Sequence, residues 1–263
     1  MNPAIKQRML IYPLLYILLG VFLFFRQRSM IYFPTPEETH RYAEESVTHD
    51  GETIKVIVLN PGREHAIIYF GGNAETVIYN AYDFEQSFPG HTVYLFNYRG
   101  YGGSSGRPSE KGIGSDALAL YDTIRSSHSS ISAIGRSLGS GVAVHLAAAR
   151  DLRRLALVTP FDSIRSVAQR RFLIYPMRLL LLDQYDSLRR VKDIKAPTLA
   201  IIAEHDSIIP RQHSLRLISA FPADQITTAT IKDAGHNTLS DFPEYHQKLK
   251  DFFTPSSTDS SAP

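Results

Sequence analysis

Ser137 sits in the stretch I-S-A-I-G-R-S-L-G-S-G, from Ile131 to Gly141. A serine hydroxyl needs a base before it becomes a useful nucleophile. The pattern G-x-S-x-G puts such a serine on a tight strand-to-helix turn, where Gly135 and Gly139 spare the neighbouring backbone a collision. The helix that follows aims its first N–H groups at the serine, so the Leu138 N–H can stabilise an oxyanion. The chemistry implied is attack on a carbonyl with transfer of an acyl group. The five-residue pattern alone arises by chance about once in ten chains of this length. The apolar strand before it and the small residues after it (Gly139, Gly141, Ala143) separate it from a plain glycine turn.

The partners must come from elsewhere in the chain. In the strand–turn–helix context of G-x-S-x-G the order is serine, acid, histidine. After the apolar run Thr198–Ala203 comes E-H-D-S-I-I-P, which places Asp206 just past a strand end. After the last apolar run comes K-D-A-G-H-N, which places His236 in a loop. Asp206 then holds Nδ1 of His236, leaving Nε2 for the serine proton. Asp162, also past a strand, is an alternative acid. Asp233 is a weaker one, because it lies so near His236 in the chain. His205 points away from its neighbour Asp206 on an extended chain, and His145 falls inside a helix. A second oxyanion donor is expected in I-I-Y-F-G-G-N-A, where Gly71 and Gly72 admit the substrate and Asn73 supplies its N–H; the competing reading is an ordinary glycine turn. N-Y-R-G-Y-G-G-S-S-G, residues 97–106, imitates a dinucleotide fingerprint, but Ser105 stands where the third glycine belongs. No cofactor is expected. The ten histidines form no H-E-x-x-H or similar pair, and there is no cysteine, so no metal site is expected either.

Short apolar runs alternate with helix-like stretches. The runs are Ile54–Leu59, Ala66–Phe70, Thr92–Asn97, Ile131–Gly135, Leu155–Thr159, Thr198–Ala203 and Ile226–Ile231. The helical stretches are Ala74–Gln86, Ser109–Ser126, Leu138–Ala149 and His213–Ala220. Continuous apolar strands buried on both faces, alternating with helices, give a doubly wound, mostly parallel α/β sheet. An entry region from Ile31 to Pro61 should carry a first strand pair. Residues 160–196 exceed a simple crossover and contain F-L-I-Y-P-M-R-L-L-L-L among arginines; we read a small helical cap, the alternative being leucines packed on the sheet. The main domain is expected over residues 29–253, with a Ser/Thr/Pro-rich, disordered tail over 254–263. The net charge of +2 leaves no footprint for nucleic acid. Nothing in the sequence fixes an oligomeric state.

Residues 1–28 read as a membrane anchor. Met9 to Phe25 carries no charge, with Lys6 and Arg8 before it and Arg26 and Arg28 after it. As a helix it spans roughly 26 Å at 1.5 Å per residue, against a hydrocarbon core of about 30 Å. Pro13 is expected in the first turns, where it costs least. No A-x-A-like site follows, which favours an uncleaved, single-pass anchor over a signal peptide. Charge slightly favours an N-terminus in the cytoplasm and the domain outside.

Taken together, F-G-G-N-A, N-Y-R-G-Y-G, G-R-S-L-G-S-G, P-F-D, Y-D-S with A-P-T-L, H-D-S-I-I-P and A-G-H-N make the chain resemble the membrane-anchored α/β-hydrolase-domain serine hydrolases. Their animal members include protein depalmitoylases, and they have many bacterial relatives. The resemblance covers nearly the whole chain. It implies the α/β-hydrolase fold, catalysis by Ser137, Asp206 and His236, and an oxyanion hole from Leu138 and Asn73. Relatives usually carry His where this chain has Gly71, and the cysteine-rich lipidated start of the depalmitoylases is absent. The function expected is hydrolysis of carboxylic esters or thioesters, on a small-molecule, acyl or lipid-like substrate near a membrane. The alternatives are a serine peptidase on the same triad and a non-catalytic, membrane-tethered binding protein.

Overall fold

A computed structural model describes residues 3–254, with side chains from Ile11 onward. One eight-stranded sheet runs through the domain: β1 (Ala43–His49), β2 (Glu52–Leu59), β3 (His65–Phe70), β4 (His91–Phe96), β5 (Ser130–Arg136), β6 (Leu155–Val158), β7 (Thr198–Ala203) and β8 (Ile226–Ile231). The order is β1-β2-β4-β3-β5-β6-β7-β8. The β1–β2 and β2–β4 pairs are antiparallel, and every later pair is parallel. β1 and β2 form a hairpin through Asp50 and Gly51, both at positive φ, as a turn matching the strands' twist requires. β3, β5, β6 and β7 are buried over almost their whole length, which is why they read as unbroken apolar runs.

The helices are α1 (Pro3–Ile31), α2 (Ala81–Ser87), α3 (Glu110–Ile124), α4 (Leu138–Ala149), α5 (Ile164–Arg171), α6 (Met177–Leu180), α7 (Ser187–Arg190), α8 (Arg211–Ile218) and α9 (Pro243–Phe253). One core, containing Phe70, Ile113, Val142 and Leu157, fills one face of the sheet; a second, containing Tyr69, Phe84, Ile201 and Phe253, fills the other. Ser109 caps α3 by accepting the Gly112 N–H at 3.1 Å.

Several local expectations shift. The helix expected from Ala74 starts only with a 3₁₀ turn at Val77 and then α2, because the Glu75 side chain is turned back to accept the Gly72 N–H at 2.7 Å. The cap over 160–196 is three short helices, α5, α6 and α7; Pro176 keeps Phe172–Tyr175 out of helix and starts α6. α1 begins at Pro3, so Pro13 lies well inside the helix rather than in its first turns. α1 also continues to Ile31, past the expected anchor boundary. α9 was not anticipated; Tyr245, Leu249 and Phe253, four apart, bury its one apolar stripe. Of the tail, Thr254 closes α9 through its N–H to Lys250 O at 2.9 Å, and residues 255–263 lie outside the described residues.

α1 contains a stretch, Ile11–Ile31, long and apolar enough to cross a membrane, and only 6% of its apolar 18-residue window is buried; length and composition of this kind also fit a signal sequence.

Candidate active site

Ser137 joins β5 to α4 with φ 51° and ψ −117°. A non-glycine residue holds this left-handed backbone only when its surroundings impose it. The Ser137 N–H donates to Val158 O at 2.9 Å, and Ser137 O accepts from Ser140 N–H at 2.8 Å. The two flanking glycines are obligatory. A Cβ on Gly135 would fall 2.3 Å from Gly139 O, and one on Gly139 would fall 2.0 Å from Phe70 O. The turn therefore presses α4 against the ends of β5 and β3 and lifts the serine above the sheet.

His236 lies in the loop after β8, and Asp206 in the loop after β7. Nε2 of His236 is 3.0 Å from Ser137 Oγ, and Nδ1 is 2.8 Å from Asp206 Oδ2. The other oxygen, Oδ1, accepts the backbone N–H groups of Ile208 at 2.9 Å and Ile209 at 2.7 Å. With Oδ1 so held, Oδ2 faces the imidazole and fixes the proton on Nδ1. Ser137 and His236 are 8% and 7% exposed, so the pair is shielded but reachable.

The rejected groups have other employment. Asp162 is buried and binds His213 Nδ1 at 2.9 Å and Arg216 at 2.6 Å, which ties α8 to the end of β6. Asp233 is exposed and donates its N–H to Glu204 at 3.0 Å. His145 is half-buried in α4, and burial lowers its basicity. His205 is exposed. Glu204, His205 and Asp233 bring ligand atoms within 4.8 Å of one another at the surface, the only such trio of His, Asp or Glu ligands among the described residues. All three are exposed, and Glu204 is already occupied by the Asp233 N–H.

Leu138 is the first residue of α4, and it and Asn73 line the same cavity as Ser137. Gly72 comes so close that a Cβ there would lie 3.9 Å from the Ser137 Cβ. The sequence reading missed what holds this loop. Glu75 accepts from Gly72 N–H, from Asn80 at 2.7 Å and from the Tyr69 hydroxyl. Burial, aided by the Glu75 charge, holds the Tyr69 phenol well above its usual range, so it stays a donor. Arg136, the variable residue of G-x-S-x-G, donates to His236 O at 3.2 Å and lies 3.8 Å from Glu75. It links the His236 loop to the Gly72–Glu75 loop. An acid two residues after Asn73 and an arginine just before Ser137 were visible in the sequence, but their partners are not local.

Two clefts meet at Ser137. One, of about 310 Å³, is walled by apolar side chains of α1, α5 and the cap. The other, of about 210 Å³, is more polar and contains Glu75, Arg136, His236 and Asn237. An apolar lobe and a more polar lobe therefore lie on either side of Ser137.

No protein-family model matches the chain. It is 34% identical over 236 residues to an uncharacterised protein of Mycobacterium tuberculosis, covering 82% of this chain and 83% of that one. It is 30% identical over 166 residues to an alpha/beta hydrolase domain-containing protein of Caenorhabditis elegans, covering 61% of this chain but 48% of that one. Among solved structures, an esterase from Pyrococcus furiosus superposes with a TM-score of 0.66 at 17% identity, over 84% of this chain and 96% of that chain.

Proposed function

We propose that this chain, whose relatives and structural neighbours support an α/β-hydrolase family, is a serine hydrolase that cleaves carboxylic esters or thioesters through an acyl-enzyme, on acyl or lipid-like substrates beside a membrane. The observation that carries this reading is the relay from Asp206 to His236 to Ser137, at 2.8 and 3.0 Å, opening into an apolar cavity. In the proposed reaction, His236 Nε2 takes the Ser137 proton as Oγ attacks the carbonyl carbon. The Leu138 and Asn73 N–H groups hold the oxyanion. The imidazolium then protonates the leaving group in the polar cleft, and water activated by the same nitrogen releases the acid.

A peptidase that reads a free amine needs a carboxylate to hold it. The residues lining the apolar cavity include none, their charged member being Arg171, and the carboxylate of the polar cleft, Glu75, is taken up by Gly72, Asn80 and Tyr69. The exposed apolar surface of α1 supports anchoring in a bilayer. The test is labelling of the full-length protein with a fluorophosphonate. Wild type is expected to label and Ser137→Ala is not; equal labelling of both would remove Ser137 as the nucleophile.

A further inference from the structure

α1 does more than emerge from the domain; one side of it is bolted to the cap. The Gln27 side chain is buried, donates to Leu180 O at 3.2 Å and accepts the Leu182 N–H at 2.7 Å. Arg28 pairs with Asp183 at 2.9 Å. Further along the helix, Tyr16 stacks on Tyr175 with ring centroids 4.6 Å apart. Each hydroxyl of that pair reaches the other side: Tyr16 OH donates to Ile174 O at 2.8 Å, and Tyr175 OH donates to Tyr16 O at 2.9 Å. Gly20 leaves room for this packing, since a Cβ there would touch the Tyr175 ring at 3.0 Å.

The same helix enters the active site. Leu23, Gln27, Met30 and Ile31 line the apolar cavity together with residues of α5 and Ser137. The helix end also grips the proposed oxyanion residue. Asn73 Nδ2 donates to Ile31 O at 3.1 Å, and Asn73 O accepts from Phe33 N–H at 3.1 Å and from Tyr101 OH at 2.8 Å.

The cap loop held at Tyr16 lies against the apolar part of α1, so a bilayer that meets that part of the helix meets the loop as well. The loop has the matching surface. Leu173, Ile174 and Leu179 are 79%, 68% and 78% exposed, with Arg170, Arg171 and Arg178 close by in the chain. Exposed apolar side chains beside basic ones are the pattern of an element lying in a membrane interface.

We infer that α1 is one wall of the acyl site and that the substrate is a bilayer-resident lipid ester or thioester, whose chain reaches Ser137 between α1 and the cap without crossing water. The inference rests on the serine hydrolase reading above. The cavity, about 310 Å³, lies at the small end of ligand pockets, which run from about 300 to 1,000 Å³. It suits one chain rather than a whole lipid. The headgroup then remains at the polar cleft and the interface.

The test uses the full-length protein in phosphatidylcholine vesicles and a long-chain fluorophosphonate with a photoactivatable diazirine at its far end. The probe is expected to bond to Ser137 and, on irradiation, to crosslink within residues 23–31. Labelled Ser137 with crosslinks confined to other segments overturns the inference and leaves the hydrolase reading intact. A wild type that the probe does not label at all overturns that reading instead. As a second measurement, Leu23→Trp fills the wall and Phe22→Trp changes the neighbouring residue, which does not line the cavity. The ratio of long-chain to short-chain nitrophenyl ester hydrolysis is expected to fall at least about tenfold in Leu23→Trp only, since each methylene in an apolar pocket is worth about 10-fold or more. An unchanged ratio in a folded Leu23→Trp also overturns the inference.

Discussion

Replacing Asp206 by Asn tests the proposed relay at its most specific point. In the structure Oδ1 accepts two backbone N–H groups, from Ile208 and Ile209, and Oδ2 faces His236 Nδ1. An asparagine has one acceptor oxygen and one donor nitrogen in the same shape. The two N–H groups select its oxygen, because turning the amide over would set donors against donors in a shielded site. The NH₂ then points at His236 Nδ1, which must become an acceptor. The ring proton moves to Nε2 and faces Ser137 Oγ, so the base can no longer take the serine proton. Loss of the correct tautomer in a serine triad lowers kcat by about 10⁴-fold, equivalent to about 5 kcal/mol of barrier. Steady-state hydrolysis of a nitrophenyl ester checks this, with the melting temperature as a control for folding. The companion is Asp162→Asn, which removes the charge that holds His213 and Arg216. It is expected to lower the melting temperature and leave kcat within a few-fold. Asp206→Asn activity within tenfold of wild type, or a larger kcat loss from Asp162→Asn, refutes the assignment of the acid.

Two further outcomes follow from groups that the sequence reading did not weigh. Glu75→Gln leaves the proposed oxyanion loop one acceptor oxygen where it had two, so either the Gly72 N–H or the Tyr69 hydroxyl and Asn80 amide lose theirs. It displaces a donor rather than deleting one, so kcat should fall by about tenfold, below the 10²–10³-fold cost of losing a donor outright. KM should stay unmoved; a KM change with constant kcat would assign Glu75 to substrate binding instead. His91, buried at the start of β4, has its basicity lowered to about 4 by burial, then by His65 and Arg153. The unfolded chain protonates near pH 6.5 while the folded one stays neutral, so the unfolded state binds more protons between those values. Stability from this group is full above pH 6.5 and is lost as pH falls towards 4. Thermal melts of His91→Gln should show a shallower acid decline over that window than wild type; parallel curves would refute it.

How much of this could be read in advance depends on how local each determinant is. β7 falls where its apolar run does, because burial on both faces leaves no polar residue to blur the pattern. G-R-S-L-G is legible for the same reason: the constraint on Gly139, a Cβ 2.0 Å from Phe70 O, acts through a turn whose sequence repeats wherever the geometry does. The cap was read only as a region, since three short helices joined by a proline-broken loop have no periodicity to detect. The least legible relation is that of α1 to the site. Its composition gives an apolar helix, and composition says nothing about which side of that helix will be occupied. Beyond a local bond from Gln27 to Phe24 O, the partners of Tyr16, Gln27 and Arg28 lie more than 150 residues away, on Ile174, Leu180, Leu182 and Asp183. Gln27 was nonetheless the residue to question. An amide at the end of an apolar run needs a hydrogen-bond partner once it is buried. Its partners are cap backbone groups that Pro176 and the short α6 leave without helical ones. The break in the cap and the glutamine of α1 thus satisfy one another, and Leu23, Met30 and Ile31 are brought to the cavity as a result.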